Sequence, residues 1–97
     1  IMNSQEYAEI FKALGHPIRL KIACGLLQKG KCNVNTMTQR LNISQSLVSQ
    51  HVNILKKSGL IKGYREGNII WYKLENKTAI KLLENVELEL CKKTKTT

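Results

Sequence analysis

The chain has 97 residues, enough for one domain with a modest core and too few for two, so oligomerisation would be a natural supplement. Sixteen Lys and Arg against seven Glu and no Asp give a formal net charge of +9, which favours a polyanionic partner and disfavours an acidic substrate pocket. No apolar run approaches the roughly 20 residues needed to cross a bilayer. Asn3-Ser4-Gln5-Glu6 lacks the character of a signal peptide and Met2 reads as the natural start, so a cytoplasmic protein with no membrane partner is expected.

In chain order, Tyr7, Ala8, Ile10, Phe11 and Leu14 recur at helical spacing over Gln5 to Leu14, until Gly15-His16-Pro17 breaks the pattern. Pro17 suits the first turn of a second helix, in which Leu20, Ala23, Cys24 and Leu27 share a side up to Gly30. A third helix, capped by Asn35 or Thr36, is expected through Leu41, with Asn42-Ile43 as the turn into a fourth. Ser44 is a good N-cap for that fourth helix, Leu47, Val48, Val52 and Leu55 form its inward stripe, and Gly59 is its stop. Leu60 to Arg65 and Ile69 to Leu74 are strand-like runs joined across Glu66-Gly67-Asn68, a turn signal that closes a hairpin. Asn76 can cap a last helix in which Ala79, Leu82, Leu83, Val86 and Leu90 share a face, before a Lys/Thr tail over 92–97 that is expected to be disordered. There is no internal repeat or linker, so residues 1–97 read as a single, mainly α domain of about five helices with a β-hairpin.

A helix-turn-helix followed at once by a hairpin is the pattern of a winged helix. The outer face of the fourth helix offers Ser44, Gln45, Ser46, Ser49, Gln50, His51 and Asn53, whose donors and acceptors suit base edges and phosphates in a major groove. An ordinary amphipathic surface helix would show a polar outer face too. The hairpin and the surrounding basic residues favour the DNA reading: Lys56, Lys57, Lys62, Arg65 and Lys73 stand around it with Glu66 the only acid in that interval, and Lys62 and Arg65 are the expected phosphate contacts.

Three segments together carry a resemblance. His16-Pro17-Ile18-Arg19-Leu20-Lys21-Ile22, the stretch from Ser46 to Ile61, and Gly67-Asn68-Ile69-Ile70-Trp71-Tyr72-Lys73-Leu74 are similar, in order and spacing over nearly the whole chain, to the ArsR/SmtB family of bacterial repressors. The resemblance implies a homodimeric winged-helix repressor of double-stranded operator DNA, with the first and last helices at the dimer interface and an inducer that relieves binding. Two metal sites of the family are missing here. Where one branch carries a Cys-X-Cys pair, this chain has Asn33 and Asn35. Where the zinc branch carries its ligands on the last helix, this chain has Asn76, Thr78, Glu89 and Lys92, with one plausible ligand where zinc takes four. No metal or other cofactor is therefore expected.

Cys24, Cys32 and Cys91 are an odd number of widely spaced cysteines, unlike a secreted disulfide framework, and are expected reduced at rest. Cys24 and Cys91 match the two reactive cysteines of the family's dithiol branch, which senses persulfides and polysulfides; Lys92 and Lys93 would favour the Cys91 thiolate. Cys32 reads as a bystander. Two other readings stay open: a repressor that binds a thiophilic metal or metalloid through some combination of the three cysteines, and a winged-helix protein-interaction module with no sensing of its own. An enzyme is not expected, since two histidines and no Asp offer little for a converging catalytic group.

Overall fold

The computed structural model describes residues 2–86. Leu90, expected on the face of the last helix, and the tail over 92–97 lie outside them, as do Glu89, Cys91 and Lys92; within them the last helix already ends at Glu84 with Asn85 as its C-cap, so Val86, expected on that face, lies beyond the helix. The element order is α1 (Ser4–Leu14), α2 (Pro17–Lys29), α3 (Val34–Leu41), α4 (Gln45–Lys57), β1 (Ile61–Glu66), β2 (Ile69–Leu74) and α5 (Lys77–Glu84). No helix among the described residues is long and apolar enough to cross a membrane.

Each helix starts on a side chain that meets an orphan backbone N–H. Asn3 and Glu6 form a reciprocal capping box on α1, the Nδ1 of His16 accepts from Ile18 N at 3.1 Å ahead of Pro17, and Asn76 accepts from Ala79 N at 2.9 Å. The cap of α3 is Asn33, which accepts from Thr36 N at 2.8 Å, and not Asn35 or Thr36. The chain is held extended up to that point because Cys32 pairs its backbone with Tyr72, donating at 3.1 Å and accepting at 2.8 Å. Starting the helix directly afterwards turns Met37 into the core. At the end of α4, Leu60 N reaches Leu55 O and Gly59 N reaches Lys56 O, with Gly59 at φ 79°; this is a Schellman stop, and the left-handed backbone is why a glycine stands there.

β1 and β2 pair antiparallel from Ile61 opposite Leu74 to Glu66 opposite Ile69, leaving a two-residue turn whose first position, Gly67, has φ 61°. Leu55, Leu60, Val48, Val52 and Leu83 are completely or almost completely buried, together with Cys24. They form the junction at which α2 packs against α4, α5 and the hairpin while α3 lies on α4. The core therefore fixes α4 from behind and leaves its other side to solvent.

Candidate nucleic-acid interface

α4 is introduced by Asn42, a non-glycine residue at φ 56° that reverses the chain after α3, and by Ser44 in extended conformation. Ser44 Oγ accepts from Leu47 N at 3.1 Å, so its first task is to cap the helix. From there the helical period separates two faces. Val48, Val52 and Leu55 are buried, whereas Gln45, Ser46, Gln50 and Asn53 are exposed and Ser49 is half-buried. These five form one contiguous polar strip with no charge on it. Amide and hydroxyl groups in such a strip can donate and accept at base edges.

The hairpin stands beside the strip. Lys62 and Arg65 are exposed on β1, and Arg65 Nη1 donates to Gly67 O at 3.2 Å, which holds the guanidinium at the wing tip. Lys62 faces Lys73 in register, a like-charge pair that weakens a sheet. Both ammonium groups sit against the ring of Tyr64, at 5.7 and 5.6 Å from its centroid, which offsets part of that repulsion. Tyr64 in turn donates to Glu75 at 2.6 Å, and this hydrogen bond pushes the phenol pKa up. An open cleft of about 360 Å³ lies between the start of α3, the start of α4 and the wing, and Asn33, Asn35, Gln45 and Asn68 line it with amides. A polyanion laid across these elements would meet uncharged readers on α4 and cations on the wing.

His51 departs from the sequence expectation. It is 7% exposed and belongs to the buried side of α4, not to the outer strip. Its ring lies 4.4 Å from that of His16, and its Nδ1 is 3.2 Å from Nη1 of Arg19. Guanidinium only donates, so Nδ1 must accept and the proton of the neutral ring sits on Nε2. Burial, His16 and the Arg19 charge, in that order, lower the His51 pKa from its ordinary value of 6.5. Arg19 also donates from Nε to Ala13 O at 2.6 Å. The group thus ties the end of α1 and the start of α2 to the middle of α4. Sequence reasoning missed Arg19; the available signal was that position 51 falls at i+3 from Val48 and i−4 from Leu55, within the apolar stripe.

The sulfur residues divide. Cys24 is fully buried on α2, the helix that packs against α4 and α5. Cys32 is half-buried between α2 and α3; burial raises its thiol pKa and outweighs Arg40, the hydrogen bond to Asn33 and Lys29, which act to lower it. Among the described residues no group of three or more His, Cys, Asp or Glu stands together as a metal site. The fold gathers the α4 strip and the wing on one side, and Cys24 lies in the core with the buried residues of α4 and β2.

Comparison with known proteins agrees with this geometry. The sequence pattern of the bacterial regulatory protein arsR family matches residues 16–62. The biofilm growth-associated repressor of Agrobacterium fabrum is 35% identical over 86 residues, covering 89% of this chain and 73% of that one. Among solved structures, reduced HlyU from Vibrio cholerae superposes with a TM-score of 0.80 at 32% identity, over 84% of this chain and 85% of the other. A homodimeric winged helix-turn-helix DNA-binding domain from Mycobacterium bovis gives 0.72 at 26% identity, over 82% and 73%.

Proposed function

Because the chain belongs to the arsR family of bacterial regulatory proteins, we propose that it represses transcription as a homodimer on a dyad-symmetric operator and releases that operator when Cys24 and Cys91 are bridged by sulfur. At the coarser level it is a DNA-binding transcriptional repressor of the ArsR/SmtB type. The observation that carries the DNA reading is the uncharged polar strip of α4 beside the basic wing. One winged helix offers a short reading surface, so two related by a twofold axis would read matched half-sites. Tyr7 and Phe11, 40% and 56% exposed on one face of α1, support a dimer that covers them.

The sensing step is simple thiol chemistry. A Cys91 thiolate attacks the sulfane sulfur of an organic persulfide, taking it up as a Cys91 persulfide and releasing the organic thiol. Cys24 then attacks Cys91 Sγ and expels hydrogen sulfide, so two protein thiols and one organic persulfide give a disulfide, an organic thiol and hydrogen sulfide. An additional sulfur in the bridge takes an additional donor. Support comes from the position of Cys24 on the helix that holds α4 and α5, where a bridge would pull on the frame that aims the recognition helices. A bridge favouring a low-affinity shape by about 3 kcal/mol lowers DNA affinity roughly a hundredfold.

The test is operator affinity and intact mass on one sample before and after an organic persulfide. Binding should fall with salt at a slope of about −0.9 per phosphate neutralised. Cys24→Ser and Cys91→Ser should bind DNA and ignore the donor, while Cys32→Ser should respond like the parent. Salt-insensitive binding would refute the DNA reading. A Cys24→Ser protein that still released its operator would refute the sulfur bridge and favour a metal or metalloid held by the cysteines.

A further inference from the structure

Between them α2 and α3 form a cleft of about 140 Å³ that shares no lining residue with the α4 strip or the wing. Its floor is apolar, formed by the buried side chains of Ile22, Leu26 and Met37. Its lining also includes Lys21, Lys29 and Arg40 and no acidic residue. Lys29 and Arg40 both act electrostatically on the half-buried thiol of Cys32, which puts the two cations within reach of one point of the wall. Gly25 also lines the cleft, from the interior of α2, where glycine weakens a helix relative to alanine. Neither a positive φ nor a neighbour requires it, since a Cβ built there meets no atom within 4 Å. What the glycine does is keep the cleft open.

From the apolar floor, the cationic surround and the cleared space, we propose that this cleft binds a small organic carboxylate whose apolar body is about the size of one aromatic ring. The size follows from volume, since a dry cavity of roughly 150 Å³ lined by aliphatic side chains accepts benzene. The charge follows from the surround: Lys29 and Arg40, with no counter-charge in the lining, would meet a carboxylate head, while Ile22, Leu26 and Met37 cover its ring. This site goes beyond the repressor reading and does not depend on it.

Benzoate is the probe and benzamide its neutral match, each titrated into the isotope-labelled full chain by amide NMR. Benzoate should give saturable shifts confined to α2, α3 and the segment between them, and benzamide should bind at least about fivefold more weakly. Bound benzoate should slow alkylation of Cys32 by iodoacetamide, read at the Cys32 peptide by mass. Lys29→Gln with Arg40→Gln, both exposed positions, should bring benzoate down to the benzamide level, and Gly25→Leu should weaken both ligands by filling the space. Equal binding of the two ligands, shifts centred on α4 and the wing, the same shifts from inorganic phosphate, or unchanged Cys32 alkylation at saturating benzoate would each overturn the site.

Discussion

Ser44 gives a way to separate the capping role at the start of α4 from the DNA-facing role proposed for that helix. Its Oγ accepts from Leu47 N at 3.1 Å, and its exposed position at the N-terminus of α4 adjoins Gln45 and Ser46 on the outer strip. Ser44→Ala removes the cap and should cost about 1 kcal/mol of stability, or roughly 4–8 °C in Tm for a domain of this size. Ser44→Asp keeps an acceptor and adds a negative charge at the positive end of the helix dipole, which contributes about 0.3–1 kcal/mol in the favourable direction. On DNA the order reverses. A unit charge about 6 Å from a phosphate, at an effective dielectric constant of about 20, is repelled by about 2.8 kcal/mol, and a Debye length of about 8 Å at physiological salt reduces this to about 1.3 kcal/mol. Ser44→Asp should therefore bind an operator duplex roughly tenfold more weakly than the parent, with a loss that shrinks as salt is raised, while Ser44→Ala should lose no more than about fivefold through fraying of the first turn. Thermal melts and fluorescence anisotropy on the same preparations measure both quantities. If Ser44→Asp matched the parent on DNA at low salt, the N-terminus of α4 would not face phosphate; if it melted as low as Ser44→Ala, Ser44 would not act as a cap.

Gln45→Ala, Ser46→Ala or Gln50→Ala should each weaken specific binding by about 1–3 kcal/mol where a base contact is lost, with random duplex little affected. Lys62→Ala and Arg65→Ala should instead lower affinity for all sequences alike and flatten the salt slope; equal losses on specific and random duplex for the α4 variants would reverse this division of roles. For His51, the folded pKa lies below the ordinary 6.5, so the unfolded chain binds the extra proton first. Its contribution to stability should be complete above pH 6.5 and be lost as pH falls through the lowered folded value, and urea melts of His51→Asn across pH 5 to 8 should show a flatter slope than the parent. An unchanged slope would show that burial of the His51 ring does not contribute to the acid sensitivity.

The elements of this protein were legible from local rules because local hydrogen bonds and local periodicity make them. Ser44 reaches a backbone N–H three residues on, Gly59 supplies the left-handed turn that ends α4, and Gly67 opens the hairpin; none of these needs knowledge of a distant segment. The outer strip of α4 followed from the same period, and the resemblance to a repressor family rested on motifs contiguous in sequence. What the tertiary structure decided were choices between local alternatives. Asn33, Asn35 and Thr36 are all competent caps, and the pairing of Cys32 with Tyr72 across the fold selects Asn33. His51 is polar enough to face DNA, yet Arg19 and His16, brought beside it from the α1–α2 junction, satisfy its ring and allow it to be buried. The cleft between α2 and α3 has no local signature either, because its apolar floor and its cations come from two helices whose separation is set by packing alone. Hydrogen bonds spanning three or four residues are written in the chain, whereas burial and charge environment depend on which segments meet.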